Sequence, residues 1–240
     1  EHGAPQRMLA DELGAEQIKD IVRQSAKWHR EAIKDIRAGR EDKGFAALKA
    51  HDCIRQKDRD EAFREMAVKW KAARDEGKSA ALLAYQRKDV FELNQLAREQ
   101  VRHELSGPAV SIRTPDGAIE LQRGDEVMLR QNDNGLGIKN GEIGKVLAVE
   151  NDCLSVRMHH GKDVSIDPQS YRDDDGHTPI QLAHSFTGHK SQGATYDAAF
   201  VSAHGQLANR EWLHVAASRP RHEVQIFTED EKALERAFTK

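Results

Sequence analysis

Between residues 108 and 172 the chain is cut by a series of glycine-bearing turn signals: Asp116-Gly117, Arg123-Gly124-Asp125, Asn134-Gly135, Asn140-Gly141 and His160-Gly161. Glycine, with asparagine or aspartate beside it, tolerates the positive φ that tight hairpin turns need. The segments between these signals are short and alternate in polarity, and strands are predicted at 126–130, 144–149, 154–158 and 163–166. So many short strands in so little chain fit a small β-barrel.

The flanks have a different texture. Met8, Leu9 and Leu13 fit one face of a helix ending at Gly14, and Ala26, Ile33 and Ile36 fit a second that ends at Gly39. Ala62, Phe63, Met66, Ala67, Trp70 and Ala73 fit a third, with charges opposite. Residues 79–85 form one apolar run, long enough for a buried strand. Asp89 then reads as the cap of a helix carrying Val90, Leu93, Leu96, Ala97 and Val101. From about residue 176 strands are predicted at 179–186, 198–203 and 223–228, with helices at 209–217 and 229–238. Strands alternating with helices make an α/β domain. The expected organisation is one α/β domain, residues 1–107 and 173–240, interrupted by a barrel at 108–172.

Composition adds bounds. The net charge is −3, so a strongly basic nucleic-acid binder is not indicated. Cys53 and Cys153, far apart in sequence, suit a reducing compartment and no disulfide framework. No apolar run reaches membrane-spanning length, and a cytoplasmic protein without a membrane partner is expected. The chain opens on Glu1, which fits a piece of a longer protein.

Two strings carry chemistry. Thr187-Gly188-His189-Lys190-Ser191-Gln192-Gly193-Ala194-Thr195 reads as a strand end, a polar loop closed by glycine, and a new strand. Val215-Ala216-Ala217-Ser218-Arg219-Pro220-Arg221 reads as a short helix ending in arginines. Loops of the first kind bring backbone N–H groups to phosphates, and an arginine of the second kind can neutralise a phosphoryl group in transfer. Other signals fail. Gly39-Arg40-Glu41-Asp42-Lys43-Gly44 has P-loop glycine spacing, but Phe45-Ala46 stand where lysine and a hydroxyl are required, so it is read as a helix–helix turn. The glycines from 135 to 144 do not make a dinucleotide fingerprint. Asp60-Glu61 and Asp125-Glu126 do not follow the apolar strand of a Walker B carboxylate, and the histidines show no zinc spacing.

Together the two strings resemble motifs V and VI of superfamily 1 helicases, in the form found in RecD-like motors of conjugative relaxase-helicases of the TraA, TraI and MobA/MobL types. Gly188 stands where isoleucine or valine is usual, and His214 where tyrosine is usual. Gly3-Ala4-Pro5, Ile21-Val22-Arg23-Gln24 and Trp28-His29-Arg30-Glu31-Ala32 resemble the same family from just after motif III through motif IV. The resemblance implies a second RecA-like (P-loop NTPase-type) domain with an SH3-like barrel inserted before motif V. It implies Arg219 as arginine finger and Arg23 as a second phosphate contact, with Gln192, Gly193 and Thr195 on the ATP side. Thr187, His189 and Lys190 would lie on the DNA side, with the polar loop at Arg87-Lys88 near DNA as well. A barrel face near Arg130, Lys139 and Lys145 is a further DNA candidate.

ATP and Mg²⁺ would be used by the full-length parent, because Walker A, Walker B and the glutamine sensor are not in this sequence. The implied partners are single-stranded DNA and the N-terminal RecA-like half of the same parent, in a bacterial cytoplasm, with 5′ to 3′ translocation. Two alternatives stay open: a fragment of a RecD-like repair or recombination helicase, and a non-enzymatic nucleic-acid- or protein-binding module.

Overall fold

Ala81-Leu82-Leu83-Ala84 is apolar at every position, as a strand covered on both faces must be, and all four residues are fully buried. The computed structural model describes residues 24–187, 195–204 and 210–239. In it this run is β2 (Ala80–Ala84), within a sheet that also holds β1 (Ile54–Gln56), β10 (Ser185–Phe186), β11 (Tyr196–Ser202) and β12 (Pro220–Thr228). The order is β1-β12-β11-β2-β10, and every pairing is parallel. Six helices cover it among the described residues: α1 (Lys27–Arg37), α2 (Glu41–Ala50), α3 (Arg59–Asp75), α4 (Arg87–Gln100), α5 (Arg210–Ala217) and α6 (Glu231–Thr239).

Successive strand side chains face opposite ways. Leu82, Ala84, Ala198, Phe200 and Phe227 pack with Phe63, Met66 and Trp70 of α3 and Leu93 of α4. Ala81, Leu83, Ala199, Val201 and Ile226 pack with Ile33, Phe45, Leu213 and Phe238 from the other helices. The result is a three-layer α/β fold consistent with a RecA-like domain.

Two local predictions change. Residues 41–50 form a helix, so the helix–helix turn is confined to Ala38, Gly39 (φ +76°) and Arg40. Gly44 sits inside α2, where a Cβ would lie 2.3 Å from Ile36 Cγ1 and 2.8 Å from the Ala32 carbonyl. It is glycine because α1 and α2 touch there. Asp89 is not a cap: α4 starts at Arg87 after Gln86, and the buried Asp89 accepts from Arg59 at 2.8 Å. The helix expected to end at Gly14 lies outside the described residues.

The hairpin-rich stretch is antiparallel throughout. A hairpin joins β3 (Ser106–Thr114) to β4 (Gly117–Arg123). A five-stranded sheet runs in the order β8-β7-β6-β5-β9, from β5 (Glu126–Leu129), β6 (Ile143–Glu150), β7 (Cys153–Met158), β8 (Asp163–Ile166) and β9 (Ile180–Leu182). One apolar cluster takes Ile112 and Leu121 from the hairpin and Val127, Val156, Ile166 and Leu182 from the sheet. The segment expected to be a single strand at 179–186 is divided. Its first part, β9, pairs antiparallel with β5, and its last part, β10, pairs parallel with β2.

The antiparallel region is fastened to α4 by a buried ion pair. Arg98 donates through Nε and Nη2 to the two carboxylate oxygens of Asp125, at 2.9 and 3.1 Å. Asp125 also accepts from the Gln122 N–H at 2.7 Å. Cys53 and Cys153 are free thiols, and no described helix is long and apolar enough to cross a membrane. Removing one member of a buried pair strands the other charge, at a cost of about 3–5 kcal/mol. Arg98→Ala should lower unfolding stability by that amount in urea titrations, whereas the double replacement Arg98→Met, Asp125→Leu should cost markedly less.

Candidate functional site

The parallel register decides which motif residues can meet. Tyr196 pairs with Pro220, so Thr195 and Arg219, each one residue earlier, stand side by side at the amino edge of β11 and β12. Phe186 pairs with Leu83, and Leu83 with Val201, so Thr187 leaves the sheet at the carboxyl edge. At about 3.3 Å per residue the two edges are ~16 Å apart at this point. Thr187 and Thr195, the two ends of one motif string, therefore lie at opposite edges of the sheet. His189, Lys190, Gln192 and Gly193 between them, and Arg23, lie outside the described residues.

At the amino edge, Ser218 and Arg219 form the whole turn between α5 and β12. Arg219 is 8% exposed. Its positive charge is near Tyr196, whose hydroxyl is pushed up by burial and held back in part by that cation. Residues at the start of the described chain hold this turn. Gln24 is buried, and its side-chain amide donates to the carbonyls of Ser218 and Pro220 at 2.8 and 3.3 Å. Ser25 donates from its backbone N–H and its hydroxyl to the Arg221 carbonyl, at 2.8 and 2.9 Å. The His29 ring meets the Ala217 carbonyl at 3.1 Å, and burial pushes its pKa down, keeping the ring neutral. Arg30 closes the arrangement by donating to the carbonyls of Gln24 and Ser25, both at 2.6 Å. Beside this, Asp197 accepts from the Ser79 N–H and hydroxyl, which hold its carboxyl below the usual range. Sequence reasoning gave Gln24 no role of its own, because its partners are backbone carbonyls far along the chain.

At the carboxyl edge, the residues leading into Thr187 are fixed by Asn94 of α4. Its Oδ1 accepts from the N–H groups of His184 and Ser185 at 2.9 and 2.8 Å, and its Nδ2 donates to the Ser185 carbonyl at 3.3 Å. A side chain thus substitutes for a neighbouring strand along the open edge of β10. Arg87 and Lys88 are exposed at the start of α4, at the same edge. Of the proposed basic face on the antiparallel region, Lys139 and Lys145 are exposed. Arg130 is not available: its side chain is largely buried and paired with Asp116 from the β3–β4 turn. Among the described residues no cluster of His, Cys, Asp or Glu could hold a metal ion.

Residues 182–227, which include both motif strings, match the model of the UvrD-like helicase C-terminal domain, and residues 1–59 match an AAA domain model. The chain is 32% identical over 232 residues to the conjugal transfer protein TraA of Agrobacterium fabrum (strain C58), an alignment covering 95% of this chain and 20% of TraA. The chain is a superfamily 1-like helicase domain related to the conjugative TraA proteins. It spans about a fifth of the length of that relative. Among solved structures it resembles Pif1 helicases at forked double-stranded DNA, with TM-score 0.59, 21% identity, and coverage of 89% of this chain and 50% of that one. It also resembles Bacteroides Pif1 bound to single-stranded DNA, with TM-score 0.58, 20% identity, and coverage of 89% and 52%. At such identities the likeness is one of fold.

The TraA-related domain carries a buried histidine whose charging should register in its stability. His184, at the crossing from β9 to β10, is enclosed, with its ring centroid 4.9 Å from that of Trp70. Neither ring nitrogen has a hydrogen-bond partner among the described residues. Burial pushes its pKa down to about 4; Glu126 opposes this, while Arg74 and Arg98 add to it. The unfolded chain binds this proton at about pH 6.5, so between pH 6.5 and 4 it holds more protons than the folded one. Stability should be greatest above pH 6.5 and fall as pH drops toward 4, by roughly 3 kcal/mol for this group. His184→Leu should flatten the slope over that window in thermal or urea unfolding.

Proposed function

We propose that this chain is the second RecA-like domain of an ATP-dependent DNA helicase motor in a conjugal-transfer relaxase-helicase, supplying the arginine finger and part of the DNA track. The observation that carries the reading is the pairing of Tyr196 with Pro220, which sets Thr195 beside Arg219 at one edge of the sheet, away from Thr187 at the other. A motor needs such a division, since nucleotide state at one edge must alter the grip on DNA at the other.

ATP with Mg²⁺ would supply the phosphoryl group, and the parent's other RecA-like half would hold the metal and the P-loop. The residues of this chain fit the opposite wall of that site. Its one P-loop-spaced string lacks the lysine and hydroxyl, whereas the guanidinium of Arg219 offers a planar fork of donors suited to phosphate oxygens. Held in a turn of low exposure, that charge acts in a medium of low dielectric, where it counts for more than in water. Arg23, joined directly to Gln24, is the second phosphate contact in this reading, and Gln192 and Gly193 complete the nucleotide side. Thr187, His189 and Lys190 contact single-stranded DNA, with Arg87 and Lys88 beside them.

In the same reading the antiparallel residues, from β3 through β9, form an inserted SH3-like barrel; a single apolar cluster spanning both antiparallel sheets supports it. Translocation runs 5′ to 3′, as in RecD-like motors. Alignment with TraA along 95% of the chain favours a conjugative parent over a repair helicase.

Arginine fingers contribute roughly 10³–10⁵ to phosphoryl-transfer rates. In the full-length parent, Arg219→Ala and Arg219→Lys should both lose DNA-stimulated ATP hydrolysis by about that factor while binding nucleotide nearly as before, because an ammonium lacks the fork. Near-normal turnover in Arg219→Lys would sink the assignment and move it to Arg221. The chain by itself should show no DNA-stimulated ATPase, and robust turnover by the pure 240-residue protein would contradict the half-motor reading.

A further inference from the structure

The turn that carries Arg219 is too short to fix a side chain by itself. Its backbone is instead held from outside. The carbonyls of Ala217, Ser218, Pro220 and Arg221 meet residues 24–29, which are nearly two hundred positions earlier in the chain. Within this arrangement Gln24 is distinctive. It is 1% exposed, and its single amide nitrogen donates to the carbonyls on either side of Arg219. Its Oε1 has no hydrogen-bond partner among the described residues, so only the donor half of the amide is engaged. A glutamine buried for packing alone would not direct both N–H groups at two carbonyls flanking one residue.

Given the reading of Arg219 as the phosphate-facing arginine, we infer that Gln24 is its positioning residue. The amide holds the peptide unit that precedes Arg219 and the one that follows Pro220, so the short turn between them is braced and the guanidinium is presented in one place before nucleotide arrives. A displacement of about 1 Å at a reacting centre can cost on the order of 100-fold in rate, which is the scale on which such a bracket matters. Gln24 touches no substrate in this scheme and acts through Arg219.

The test uses the full-length parent and single-stranded-DNA-stimulated ATP hydrolysis. Gln24→Leu, which removes both donors, should lower kcat by about 10- to 100-fold and leave KM for ATP within about threefold. In an Arg219→Ala background the same change should add nothing, because a positioning residue has nothing left to position. Gln24→Glu supplies a signature that a packing role would not produce. A carboxyl buried between two carbonyl oxygens has a raised pKa. Protonated, it donates to one carbonyl; ionised, it repels both. Its kcat relative to wild type should therefore climb as pH falls from about 8 to about 6.

Wild-type kcat in Gln24→Leu, an additive loss in the Arg219→Ala background, or a flat pH ratio in Gln24→Glu would each overturn the positioning role while leaving the finger itself intact. Full turnover in Arg219→Ala would overturn the finger, and the positioning role with it.

Discussion

The pairing of β11 with β12 organises this molecule. Both strands are covered on both faces, so their register is set by two sets of helices at once. A slip of one residue would turn Ala199, Val201 and Ile226 toward the wrong layer. The same register puts Thr195 and Arg219 together at one edge of the sheet, with Thr187 at the other, the division on which the proposed motor rests. In the proposed motor, the placement of the arginine finger thus follows from hydrophobic packing.

Much of the architecture was legible in the chain because burial leaves a periodic trace. The helix face from Ala62 to Ala73 and the run from Ala81 to Ala84 matched the structure, since one is covered on one side and the other on both. The antiparallel strands were legible through their turns. Helix α2 was not, because Gly44 lies at its centre and only Phe45 and Leu48 give it a buried apolar stripe. Its glycine answers to a neighbouring helix rather than to a turn, and sequence alone does not separate those demands.

The candidate site was legible only where side-chain identity carries the signal. Arg219 and the polar loop beginning at Thr187 stand out by residue type and order. The bracket made by Gln24, Ser25, His29 and Arg30 does not, because it reads backbone carbonyls, and any residue supplies a carbonyl. Arg130 misled for the opposite reason. It follows a strand and looks available, but Asp116 is brought to it by a hairpin turn fourteen residues earlier.

The division of 180–186 into β9 and β10 has a mechanical meaning. Leu182 is bonded into the antiparallel sheet and Ser185 into the parallel one; between them Ala183 donates to the Glu126 carbonyl and His184 to Asn94, which also accepts from Ser185. There is no slack between them. A displacement of the antiparallel region is therefore passed toward Thr187 along a few residues of main chain, with α4 joined to both sides through Arg98 and Asn94. The region is coupled to the carboxyl edge of the sheet as a handle is to a blade, rather than hanging from it on a tether.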